Sequence, residues 1–64
     1  MDPTATYNAM WELFTKENYE EAAKHARDLR AWLDNGGLPP PHVTLERCEF
    51  VIRYVLATAK LYKE

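Results

Sequence analysis

Two side chains, His42 and Cys48, could supply the base and the nucleophile of a covalent mechanism. A catalytic thiolate needs an electropositive, partly open environment and a third group that orients the base. In a helix, however, Cys48 falls in register with Ile52 and Val55, four and seven residues further on. We therefore interpret Cys48 as a buried structural residue and expect the protein not to be an enzyme.

Three residues, Glu21, His25 and Asp28, could present metal ligands on one side of a helix, because they are spaced by four and three residues. A helix-borne site takes its remaining ligands from a facing helix, and no His or Cys elsewhere has metal-ligand spacing. The pattern favours a solvated, charged helix face. No glycine-rich phosphate loop or serine elbow is present either, so we expect neither a metal nor a cofactor.

Two further features could contact a partner. The segment Pro39-Pro40-Pro41 could be a ligand for an aromatic-groove module, but three prolines between helices are more typical of a stiff spacer. Trp32 lies at the edge of the predicted second helix, and tryptophan at the margin of a core is favoured at interfaces. The alternative for Trp32 is that it covers the end of the core near Leu38.

The residues at predicted helix ends indicate three helices, at about 3–16, 18–34 and 44–63, with a Gly/Pro loop at 35–43. Asp2 is a predicted N-cap with Pro3 at the first helical position, and Thr44 is a predicted N-cap of the third helix. Asn18 and Glu21 resemble a capping box. In the second helix, an alanine-rich stripe allows close approach of the first helix, whose bulky face contains Tyr7, Met10, Trp11 and Phe14.

The third helix has two apolar seams with heptad spacing. The first seam consists of Cys48, Ile52, Val55, Ala59 and Tyr62, and the second seam consists of Phe50, Tyr54, Ala57 and Leu61. The two lie roughly 150° apart around the helix. If the first seam packs within the chain, the second is exposed in a monomer, and such a patch typically marks an interface. The alternative is a third helix wedged between the other two, which buries both seams in one chain.

A chain of 64 residues and 7.5 kDa is long enough for one small domain and has little surplus stability. The scaling of surface with mass predicts about 4,300 Å² when folded. Apolar burial is then worth about 100 kcal/mol, and ordering the chain costs about the same. Association is a common remedy in small chains. Since a second copy could bury the exposed seam, we expect a homodimer formed through the third helix.

Charge, cysteine content and hydropathy indicate which partners and which cellular compartment to expect. Eight Lys and Arg against ten Asp and Glu give a net charge of -2, and the basic residues are scattered along the sequence. This charge pattern argues against nucleic-acid binding, which requires a cluster of basic residues. The single cysteine fits a reducing compartment, and the sequence contains neither a signal peptide nor an apolar run of membrane length. We expect a cytoplasmic protein without a membrane partner.

Two segments carry resemblances. Glu17–Ala23, with Tyr19 followed by Ala22, resembles the start of the second helix of a tetratricopeptide repeat. The first helix lacks the expected glycine and no second copy follows, so peptide binding is not implied. Residues Trp32–Pro40, with the pattern Trp-Leu-x-x-Gly-Gly-Leu-Pro-Pro, resemble small helical proteins of bacteria and phages without an assigned function. This second resemblance implies a source but no mechanism.

The sequence thus predicts a single all-α domain over residues 1–64, in which a helical hairpin and a third long helix form a three-helix bundle. The predicted function is a non-enzymatic protein–protein interaction or adaptor module that self-associates. The predicted interface consists of Phe50, Tyr54, Ala57, Leu61 and Trp32. The alternative is a small dimeric nucleic-acid-binding or regulatory protein that uses Lys24, Arg27, Arg30, Arg47 and Arg53.

Overall fold

The structure, a computed structural model, describes residues 1–62 and contains three α-helices. Helix α1 spans Pro3–Thr15, α2 spans Tyr19–Asp34 and α3 spans Leu45–Tyr62. The predicted all-α, three-helix fold is confirmed, and the helix ends agree with the predicted ones to within one residue. The last predicted helical residue, 63, lies outside the described residues.

The N-termini of α1 and α3 are capped as predicted. The Asp2 carboxylate accepts hydrogen bonds from the backbone N–H groups of Thr4 and Ala5, at 3.0 and 3.2 Å, and Pro3 is the first helical residue. The Thr44 hydroxyl accepts a hydrogen bond from the Arg47 N–H at 3.1 Å. Each cap satisfies N–H groups that have no partner inside the helix.

The predicted capping box between Asn18 and Glu21 does not form, because the turn between α1 and α2 uses the Asn18 N–H for another hydrogen bond. The N–H of Glu17 donates to the Phe14 carbonyl at 3.0 Å, and the N–H of Asn18 donates to the Leu13 carbonyl at 2.9 Å. These two bonds form a Schellman motif, with Glu17 in the left-handed conformation at φ 60°. Because the Asn18 N–H is already bonded, the Glu21 carboxylate cannot receive it, and the Asn18 side chain makes no capping bond.

The C-terminus of α2 ends in a second Schellman motif, as its glycines predict. The N–H of Gly36, at φ 88°, donates to the Leu33 carbonyl at 3.0 Å, and the N–H of Gly37 donates to the Trp32 carbonyl at 2.9 Å. Leu38 does not fold back on the last turn of α2, since it is 77% exposed. The Trp32 indole takes that place: its Nε1–H donates to the Leu38 carbonyl at 2.8 Å.

The core lies along α2, which packs against both α1 and α3. The alanine-rich stripe of α2 is buried as predicted, and small side chains there let the two neighbouring helices approach closely. Bulkier residues of α1 and α3 fill the remaining space. The buried core cluster consists of Tyr7, Met10, Ala22, Ala26, Leu29, Cys48, Val51, Ile52 and Val55.

The two seams of α3 have different environments. Cys48, Ile52 and Val55 of the first seam are buried as predicted. Tyr62, at the end of the same seam, faces α2 and stacks on Tyr19 at 4.9 Å, but it is 68% exposed because Tyr19 is the first residue of α2. The wedged arrangement is also wrong, since α2 is the helix shared by both neighbours and the second seam faces solvent.

Candidate functional site

The second seam forms the outward face of α3. Phe50 is 56% exposed, Tyr54 51% and Leu61 83%, and Ala57 is exposed as well. The structure therefore brings together the four predicted interface residues of this helix on one solvent-facing surface. Large apolar side chains that are contiguous and exposed are a feature of interaction surfaces, whereas a single exposed leucine is not.

The second seam continues across the protein into a row of aromatic rings. The Phe50 ring stacks on Tyr54 with centroids 6.4 Å apart, and the Tyr54 ring meets Phe14 of α1 at 5.6 Å. Phe14 in turn makes edge contacts with Trp11 at 5.6 Å and with Tyr19 at 5.2 Å. All these separations lie in the favourable range for aromatic pairs, so the row is held in place before any partner binds.

A groove of about 360 Å³ runs between α1 and α3 beside this row. Its walls are aromatic and aliphatic, and one cation, Arg47, contributes to its lining. The residues that form it are Tyr7, Trp11, Arg47, Phe50, Val51 and Tyr54. The sequence interpretation missed the contribution of α1, because the rotation of one helix about its axis relative to another is not encoded in either helix alone.

Trp32 lies apart from the second seam. Its ring contacts no other aromatic ring within residues 1–62 and does not line the α1/α3 groove. It covers Gly37 so closely that a Cβ atom there would overlap the indole. This matches the alternative in which Trp32 covers the end of the core, while its membership of a partner surface stays a prediction.

The residues considered for covalent chemistry do not form an accessible site. The Cys48 side chain has no exposed surface. Burial raises the pKa of the Cys48 thiol, and the neighbouring Glu49 carboxylate raises it further. His42 is exposed, and its ring makes an edge contact with Tyr7 at 5.8 Å. A neutral, buried thiol is a poor nucleophile, since the thiolate is the reactive form.

The possible metal ligands on α2 do not converge on a common point, and two of them have other partners. The Nδ1 atom of His25 lies 3.0 Å from the Glu21 backbone carbonyl oxygen, and the Glu21 carboxylate pairs with Lys24 at 3.2 Å. Within the described part of the chain, no three His, Cys, Asp or Glu side chains are placed to hold a metal ion.

The proline segment is partly built into the fold. Pro40 is fully buried, and its carbonyl accepts a hydrogen bond from the Val43 N–H at 3.1 Å. Pro39 is half-buried and Pro41 is exposed. This packing agrees with a spacer that sets the path from α2 into α3, because a groove-binding ligand would need the middle proline free.

Comparison with known proteins adds no assignment to this geometry. The chain matches no protein family, no curated protein and no solved structure. Among residues 1–62, no helix combines the length and the apolar character needed to cross a membrane.

Proposed function

We propose that the protein is a small, non-enzymatic helical interaction module that self-associates through the second seam of α3. The observation that carries the proposal is the exposure of Phe50, Tyr54 and Leu61 side by side on one helix face. The occupant we assign to this face is a second copy of the chain, related by a twofold axis so that the same face contributes from both sides.

The large exposed side chains of the second seam supply more than half of the area that a small dimer requires. At about 150–250 Å² per large side chain, Phe50, Tyr54 and Leu61 together present about 350 Å² to solvent in each copy. Two copies would bury about 700 Å² from these residues alone. Exposed Ala57 and the half-buried rings of Trp11 and Phe14 border them, and specific interfaces begin near 1,000–1,200 Å² in total.

Sedimentation equilibrium of the purified protein from about 10 µM to several hundred micromolar tests this proposal. We expect the weight-average mass to rise with concentration towards twice 7.5 kDa, because a modest apolar interface gives micromolar affinities. A mass that stays at one chain over the whole range contradicts self-association. The second seam would then serve a different protein or none.

A further inference from the structure

Folding gathers basic side chains that are scattered in the sequence. The groove between α2 and α3 consists of two sections, which are lined by five of the eight Lys and Arg residues and by four of the ten Asp and Glu residues, although the chain as a whole has a net charge of -2. We call it the basic groove and define it by these five residues: Lys24, Arg27, Arg30, Arg53 and Lys60.

The charges follow an order along the basic groove. Because α2 and α3 are antiparallel, the N-terminal half of α2 shares one section with the last turns of α3, and Arg30 shares the other with Arg53. From Lys24 to Arg30, α2 advances about 9 Å. The four acidic residues line the outer ends of the same two sections: Glu17 and Glu20 at one end, Asp34 and Glu49 at the other.

Most of these cations are available to a partner. Lys24 pairs with Glu21 at 3.2 Å, and both side chains remain about half exposed, so this pair is weak. Within residues 1–62, the other four basic-groove side chains make no ion pair. Arg27, Arg30, Arg53 and Lys60 are all exposed.

Apolar side chains lie among the charged side chains of the basic groove. One section, about 560 Å³ in volume, includes Ala23, Leu56 and Ala59, and the adjoining section, about 240 Å³, includes Leu33 and Ile52. Half-buried Leu33, Leu56 and Ala59 offer apolar contacts beside the basic side chains, which matches a ligand with apolar side chains on one face and carboxylates beside them. This is the pattern of an amphipathic acidic helix in a groove.

We propose that the basic groove binds a short acidic, amphipathic segment of a partner protein. The partner's carboxylates pair with Arg27, Arg53 and their neighbours, and its apolar side chains cover Leu33, Leu56 and Ala59. The acidic residues at both ends limit the basic stretch to about 9 Å, so a continuous phosphate backbone would meet repulsion on either side. A short peptide segment avoids it.

This site is separate from the one proposed for self-association. Arg53 and Lys60 immediately precede Tyr54 and Leu61 of the second seam, so the two sets point about 100° apart around α3. Binding in the basic groove therefore does not depend on dimer formation. The binding experiment is therefore repeated on Leu61→Ser, a variant expected to weaken the dimer. Unchanged peptide binding in this variant shows that the basic groove acts independently of self-association.

The test uses a synthetic helical peptide of about 14 residues, about 21 Å long, with leucines on one face and glutamates beside them only in its central seven residues, so that its charges match the length of the basic stretch. Its binding to the full chain is followed by NMR chemical-shift titration, against a matched peptide with Gln at every Glu position. The protein variants are the double substitution Arg27→Gln/Arg53→Gln and, as a control, Lys16→Gln, which removes an exposed cation that follows α1 and does not line the groove. Circular dichroism checks that all variants remain helical.

We expect the acidic peptide to shift the signals of residues 23–30 and 53–60, and its Kd to rise about tenfold or more in the double variant. The Lys16→Gln variant should bind the acidic peptide as the parent protein does. The Gln peptide should bind the parent protein at least about tenfold more weakly than the acidic peptide. Absence of binding, or an equal effect of both variants, overturns the proposal. Tighter binding of a single-stranded oligonucleotide at about 200 mM salt, lost in the same double variant, overturns it in favour of nucleic acid.

Discussion

Replacing Leu61 with Ser separates association from folding, because this side chain is 83% exposed in the single chain. Full burial of a leucine is worth about 1.5–3 kcal/mol, so the buried sixth contributes about 0.5 kcal/mol or less to the fold. Adding the lower helix propensity of Ser, we expect Leu61→Ser to lower the free energy of unfolding of the monomer by less than about 1 kcal/mol.

The effect on the dimer should be much larger. If the exposed part of Leu61 becomes buried against a second copy, each chain loses about 1.2–2.5 kcal/mol of burial in the variant. Since a twofold interface contains the residue twice, the loss is about 2.5–5 kcal/mol. The Kd of the dimer should therefore rise by a factor of about 50 or more.

Leu38 provides a matched control, because it is the same residue type, is 77% exposed and lies in the loop rather than on α3. Sedimentation equilibrium of both variants gives their Kd values, and urea unfolding at low concentration gives the stability of each monomer. Leu38→Ser should associate like the parent protein. Equal changes in Kd for the two variants, or no change for Leu61→Ser, would refute the assignment of the second seam as the interface.

Three further predictions concern the fold that presents these surfaces. Glu17→Gly should raise the free energy of unfolding by about 1 kcal/mol and the Tm by about 4–8 °C, because a residue with a Cβ is strained at φ 60°. Gly37→Ala should destabilise the protein and shift its tryptophan fluorescence, because the added methyl group displaces the Trp32 indole. Cys48 should resist thiol reagents in the folded protein, and stability should fall as the pH rises above about 8.5.

The sign of the pH effect follows from the raised pKa of the buried Cys48 thiol. Above the pKa of the unfolded chain, the unfolded state loses its thiol proton before the folded state does, so unfolding becomes easier. Urea titrations at pH 7 and pH 10 measure this, and Cys48→Ala should show a smaller loss. An equal loss of stability in both proteins contradicts the assignment to Cys48. For the separate Glu17 prediction, a Glu17→Ala variant that gains as much stability as Glu17→Gly contradicts the explanation by backbone strain.

Local features of the fold were predictable because they depend on neighbours in the chain. Asp2-Pro3 and Thr44 begin helices, and Gly36 ends one, because each satisfies or frees backbone groups within a few residues. The capping box at Asn18 was not realised, because the preceding helix already used the Asn18 N–H. That competition depends on how two helices share one short turn.

The sequence by itself determined three amphipathic helices, the buried position of Cys48 and a second apolar seam on the last helix. Only the tertiary structure decided that α2 is the shared helix, that Phe14 joins the aromatic row with Tyr54, and that Arg27, Arg30 and Arg53 line one groove. The physical reason is that helical periodicity fixes which residues share a face of one helix. The way in which side chains of different helices meet depends on the packing of the whole chain around the small alanines of α2.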